Sequence, residues 1–383
     1  MSETVKVTDR IHYIDQLRAW NVLLMCYTHA LDSMLAVEHK HGLLYEVVSF
    51  IEGVMAPSFL FVSGAAFAIV LSRRKEAYLH YGKPAQKQFL RLLFILLIAY
   101  WLHLPYKTLH QCLTITTYEQ WLLFFRANSL QVIACGIFLS QLFFLIVRNE
   151  KRFYYVGLCF AVVVLLATPF VYQYDFAQIL PLYIATCFNL MYGSIFPLFP
   201  WLAYFFIGSF VMYQLLMAVQ EKRETELIKR FLLFVVITIP IFILLHLFGI
   251  KTTPYYDFWY TSPNIFIIRL SFVILMIVLF WYLGKRFNYR MRIFGVFRSE
   301  SLLVYVLHLL IIYGSVLAYG LSTRFGQTLN WFEIFLIGSC IAIVLLLIAK
   351  IWNWFKQTHK SASKIILLFF WLGFVVYFFT QSH

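Results

Sequence analysis

Charge is the scarcest property of this chain. Only 13% of its 383 residues are Asp, Glu, Lys or Arg, whereas 62% are hydrophobic. A soluble domain carries about 25% charged and roughly 45–50% apolar residues, so a water-facing globular surface is excluded. Period-two alternation is missing from the apolar runs, which argues against a membrane β-barrel. No Gly-rich nucleotide loop is present. Apart from the weak pair His39-x-His41, no Cys/His set has ligand spacing, so no metal is expected. Six cysteines occur, most of them inside apolar runs where a thiol behaves as a small core residue. Cys112 and Cys187 fall in loop segments and are the one pair open to bridging. Repeats, low-complexity tracts and soluble domains are absent, so residues 1–383 read as a single membrane domain. No small-residue cleavage site follows the first apolar stretch, which reads as a retained helix.

What is present is a series of long apolar runs, such as 231–249, 301–319 and 331–349. Each approaches the ~20 residues that cross a hydrocarbon core as helix. The fold class expected is an all-α, polytopic membrane helix bundle of about 11 transmembrane helices. They are placed at 17–36, 49–72, 88–105, 129–147, 153–170, 200–219, 231–249, 264–283, 301–319, 331–349 and 365–380. The net charge is +14, and its distribution is topological. With the N-terminus cytoplasmic, 23 of the 31 Lys and Arg fall on the inner side. Lys40, Lys107, Arg126, Lys251 and Arg324 fall on the outer side, and Arg18, Arg91 and Arg269 lie within spans. This is the asymmetry that the positive-inside rule requires, so nucleic acid is not the expected partner of the charge. The outer segments 106–128 and 171–199 are rich in aromatic residues and suit either an interfacial belt or the roof of a cavity.

Ionisable residues inside spans are costly and mark function. The first helix carries Asp15, Arg18, His29 and Asp32. Arg18 and His29 are eleven residues apart, which is three turns plus about 20°, so they share a face about 16 Å apart along the axis. Asp15 lies three residues before Arg18 and Asp32 three after His29, where each can pair with its neighbour. An Arg at the inner end suits a phosphate. A His beside a carboxylate suits a general base. One extended thioester could therefore touch both; packing is the competing reading for each. Glu52, near the outer end of the second helix, is a second acid or base. Lys87 and Arg91 could hold phosphates or snorkel to the interface. Gln131 suits either packing or a ligand hydrogen bond. Arg269 suits an anionic acceptor or an ion pair. His308 could polarise a carbonyl or bond to Tyr305 one turn away.

Several motifs follow one another in order: Asp15-x-x-Arg18, Arg18-x10-His29, His29-x-x-Asp32 and Ala56-Pro57-x-Phe59-x-Phe61-x-x-Gly64. Further along come Leu130-Gln131-Val132-Ile133, Phe196-Pro197-Leu198-Phe199-Pro200-Trp201 and the run 301–308 ending in His308. Together they resemble the heparan-α-glucosaminide N-acetyltransferase-like membrane family in its bacterial branch. The first helix also resembles the wider R-x10-H membrane acyltransferase superfamily. The resemblance implies an acyltransferase of the bacterial cytoplasmic membrane. It would move an acyl group, usually acetyl, from acyl-CoA to a sugar, glycan or lipid-linked saccharide on the far side. Acyl-CoA would be a co-substrate, with no permanently bound cofactor, and self-association as a homodimer is left open. Some relatives place the catalytic His in the loop after the first helix, which makes His39 and His41 alternatives to His29. The usual Arg-Gly of the family is Arg18-Ala19 here. A rival reading is a secondary transporter or lipid-linked sugar flippase with a His29/Asp32 proton relay.

Overall fold

The computed structural model describes residues 11–287, 295 and 299–381. The expected N-terminal arm, the basic loop at 284–298 and the C-terminal tail fall wholly or partly outside them.

Fifteen α-helices occur among the described residues. They are α1 (His12–Met34), α2 (Gly42–Leu79), α3 (Lys83–Trp101), α4 (Leu109–Thr114), α5 (Tyr118–Phe125), α6 (Ser129–Val147), α7 (Glu150–Val171) and α8 (Leu182–Ala185). After these come α9 (Leu198–Gln220), α10 (Glu224–Leu247), α11 (Pro263–Phe287), α12 (Ser301–Ile312), α13 (Leu321–Phe325), α14 (Trp331–Thr358) and α15 (Lys360–Thr380). The chain is an integral, multi-pass, all-α bundle. Eight of these helices (α2, α6, α7, α9, α10, α11, α14 and α15) are long and apolar enough to cross a membrane. Hydropathy marks only the apolar length of a helix. Charged and amide side chains that favour helix extend several helices past it: α14 runs on to Thr358, and α2 continues past a kink at Arg74 to Leu79.

One expected helix is corrected. The run 301–319 is helical only to Ile312, and a two-stranded hairpin pairs Gly314–Ser315 with Ala318–Tyr319. Gly314 has φ +83°, and a Cβ there would stand 2.5 Å from Ala318 O. A left-handed residue with no room for a side chain ends the helix at that point. The Cys112–Cys187 bridge is also corrected: all six thiols are free. Cys112 Sγ donates to Tyr106 O and Cys187 Sγ to Tyr183 O, each within its own segment.

The chain divides into two compact units. The first takes the described residues of Met1–Leu17, Gly53–Ala99 and Phe125–Tyr289. Here α7 packs on α9, α10 on α11, and α6 on both α7 and α9. Glycines set the closest approach. A Cβ on Gly64 would overlap Phe205 O, and one on Gly208 would overlap Phe61 O, so α2 and α9 cross backbone to backbone. Phe61, Phe144, Phe153, Phe205 and Phe206 are fully buried around this crossing.

The second unit takes the described residues of Arg18–Glu52, Tyr100–Phe124 and Arg290–His383. Its core joins Val22, Cys26, Ala30 and Met34 of α1 to Val304 and Ile312 of α12 and Leu345 and Ala349 of α14. Tyr27 lies against Gly338, where a Cβ would stand 2.5 Å from its ring, and its hydroxyl meets Ser339 Oγ at 3.0 Å. The end of α1 is tied down by backbone bonds: Ala36 N donates to Leu329 O, and Leu329 N to Met34 O.

Candidate active site

α1 runs unbroken from His12 to Met34, so Arg18 and His29 keep the shared face read from their spacing. Both are half-buried. His29 Nδ1 lies 3.1 Å from the hydroxyl of Tyr313. Its ring also sits beside that of His308, with centroids 5.2 Å apart. His29 Nε2 has no hydrogen-bond partner among the described residues.

His308 is 1% exposed. Its Nδ1 lies 3.0 Å from Val304 O, one turn back. A carbonyl only accepts, so Nδ1 carries the proton and, in the neutral ring, Nε2 carries the lone pair. That Nε2 is buried without a partner among the described residues. Tyr305 also meets His308 edge-on, with ring centroids 5.4 Å apart at 80°. A half-buried imidazole with an open nitrogen, a phenol at its other nitrogen and a second imidazole beside it is an arrangement that can accept a proton.

Tyr313 does not stand out in the sequence, because the run to 319 reads as uninterrupted helix. The signal lies in the Tyr313-Gly314 and Tyr319-Gly320 pairs. Two glycines six residues apart mark a break, and the break presents Tyr313 to His29.

The remaining candidates separate. Asp32 is exposed, and its backbone oxygen accepts from Lys40 Nζ at 2.9 Å. No hydrogen bond joins its carboxylate to His29 among the described residues, so Tyr313 occupies the orienting position that the spacing gives to Asp32. His39 closes a single 3-10 turn, Val37–His39, and His41 is exposed just before α2. Neither ring makes a hydrogen bond among the described residues. Glu52 is half-buried, with Oε1 shielded and unpartnered among the described residues.

Lys87, Arg91, Gln131 and Arg269 belong to the other unit. Lys87 and Arg91 are exposed on α3. Gln131 Oε1 accepts from Asn128 N at 3.0 Å and closes the capping box that starts α6, while its Nε2 is buried without a partner among the described residues. Arg269 lines a cavity of about 190 Å³ with Tyr172, Trp201, Tyr204, Trp259 and Tyr260. The aromatic segment 171–199 contributes Tyr172, Leu190 and Ile195 to that cavity. Among the described residues no cluster of His, Cys, Asp and Glu has metal-holding geometry.

A family model described as heparan-alpha-glucosaminide N-acetyltransferase, catalytic, matches residues 10–240. The matched stretch takes in Arg18, His29, Asp32, Glu52, Arg91 and Gln131 and ends before Arg269, His308 and Tyr313. No curated protein matches the chain at a significant level.

Proposed function

The chain belongs to the heparan-alpha-glucosaminide N-acetyltransferase family, and from that premise we propose an acyl-CoA-dependent transfer, most simply of acetyl, to a sugar or glycan hydroxyl or amine across the membrane. Membership makes it a membrane acetyltransferase-type protein. The donor, the acceptor and the residues that act are our reading. In it the N-terminus is cytoplasmic and the protein sits in a bacterial cytoplasmic membrane.

One observation carries this reading: His29 has an open Nε2, a Tyr313 hydroxyl on Nδ1, and Arg18 on the same helix face. Acyl-CoA enters from the cytoplasmic side with a phosphate near Arg18. The thioester reaches the level of His29, about 16 Å along α1. The acceptor enters from the outer side. His29 Nε2 takes the proton from the acceptor O–H or N–H as that atom bonds to the thioester carbonyl carbon. The C–S bond breaks, and the CoA sulfur leaves with the electron pair and receives the proton from the imidazolium. In this reading Nδ1–H donates to the Tyr313 hydroxyl oxygen, which leaves the lone pair on Nε2.

The test uses purified protein in detergent with radiolabelled acetyl-CoA and a panel of sugars. Free CoA thiol and labelled sugar should appear together and depend on His29. If CoA does not raise the thermal stability of the protein and no label moves, the reading is wrong.

A further inference from the structure

The cavity at Arg269 has a defined chemistry of its own. It lies where the first turns of α9 and α11 meet the segment 171–199 and the loop before Pro263. Its walls are aromatic. Trp201 lies under the guanidinium, with Arg269 Cζ 6.0 Å from the ring centroid. Tyr204 is stacked on Phe266 at 4.1 Å, which holds both rings in place. Trp259 and Tyr260 are half-exposed at the mouth, 54% and 55%, and the Asp257 carboxylate fixes both by accepting from their backbone N–H groups at 2.9 and 3.0 Å.

The polar groups are complementary in sign. Tyr172 Oη donates to Phe199 O and Tyr204 Oη donates to Phe266 O, so both phenol oxygens keep lone pairs that accept. Arg269 only donates. Its Nε is buried without a hydrogen-bond partner, and no carboxylate lies within ion-pair distance of it, among the described residues. A cation inside a membrane helix without a protein counter-charge calls for an anion from elsewhere. Gly53 of α2 leaves the room: a Cβ there would stand 3.2 Å from Arg269 Nη2.

Size restricts the ligand. A volume of about 190 Å³ is below the ~300–1,000 Å³ of pockets for drug-sized molecules, so one ring fits and a CoA does not. Aromatic faces suit the apolar face of a sugar ring, and the phenol oxygens suit its hydroxyls.

We propose that the Arg269 cavity binds a single saccharide ring bearing an anionic substituent, with Arg269 on the anion and Trp201 and Tyr260 against the ring. Treating that ring as part of the acyl acceptor rests on the acyltransferase reading; the binding does not.

Purified full-length protein in detergent is titrated with glucose, glucuronate, glucose 6-sulfate, glucose 6-phosphate and acetate, read by saturation-transfer NMR and calorimetry. At least one charged sugar should bind about tenfold more tightly than glucose, as a charge-assisted hydrogen bond provides. The comparison among the three charged sugars identifies the anion. Arg269→Gln should erase the preference and leave the glucose affinity in place, while Tyr260→Phe, at the exposed mouth, should weaken all sugars alike. If Arg269→Gln does not fold, Arg269→Lys should retain part of the preference. Equal affinity for glucose and all charged sugars, or acetate binding as well as glucuronate, would overturn the proposal. Charged-sugar binding without acetyl transfer to any of them would keep the cavity assignment and overturn its identification with the acceptor.

Discussion

At the residue scale the account turns on His29. Its candidacy is legible from one helix, because Arg18 and His29 fall on one face by arithmetic alone. Its partner is not. Spacing favours Asp32, three residues on, yet the group at Nδ1 is Tyr313, 284 residues away. Contacts between distant segments leave no trace in local periodicity. Replacing His29 with Ala should lower the rate of acetyl transfer by about 10²–10⁴, the usual worth of a general base. His39→Ala and His41→Ala should keep it within about twofold of wild type, since a general base acts within hydrogen-bond reach of its proton. A large loss in His41→Ala with none in His29→Ala would transfer the role to the loop. Tyr313→Phe removes one hydroxyl and keeps the ring. It should lower kcat about fivefold, the kinetic equivalent of ~1 kcal/mol of hydrogen bonding, with KM for the acyl donor unchanged. A change in KM alone would mean that Tyr313 binds donor and does not orient His29.

At the scale of the element, capping residues and glycines decide where sequence reading succeeds and fails. The helix expected at 129–147 matches the one observed, because Asn128 and Gln131 supply a capping box at its start. The helix expected at 301–319 is too long, because Gly314 and Gly320 are hidden in an apolar run. Gly64 is legible as a small residue that permits close approach; its counterpart Gly208 is not. In the fold they are the floor of the α2–α9 crossing, with no space for even one carbon. Gly64→Ala should therefore destabilise the protein by about 3 kcal/mol, the upper range for overpacking, seen as a fall in Tm in detergent. Gly284→Ala on α11 faces open space, and the change should be neutral or raise Tm slightly, because Ala favours helix over Gly by roughly 1 kcal/mol. Equal effects at the two sites would contradict the crossing.

At the scale of the whole molecule, composition and charge are the most informative. A chain this poor in charge and this rich in long apolar runs folds as a multi-pass helical bundle, as the helices observed bear out. The family is legible in the order of its motifs and is shown by the match over residues 10–240. The number of spans is less so. α1 carries a polar stripe, α3 begins with a run of basic and amide residues, and α12 stops after 12 residues. Length and apolarity alone therefore do not count any of the three as a crossing. The Arg269 cavity is foreshadowed by a lone cation and an aromatic segment, but its walls come from separated stretches of chain that only the fold assembles.

The central claim is transfer across the membrane by a bundle in which His29 is the base. The most direct measurement uses proteoliposomes with radiolabelled acetyl-CoA enclosed on the side of the basic loops and the acceptor sugar added only to the opposite face. The account predicts that labelled acetyl appears on the outer sugar with wild-type protein and does not with His29→Ala. Label transfer that survives in His29→Ala, or CoA release with no label ever reaching the opposite face, would contradict it.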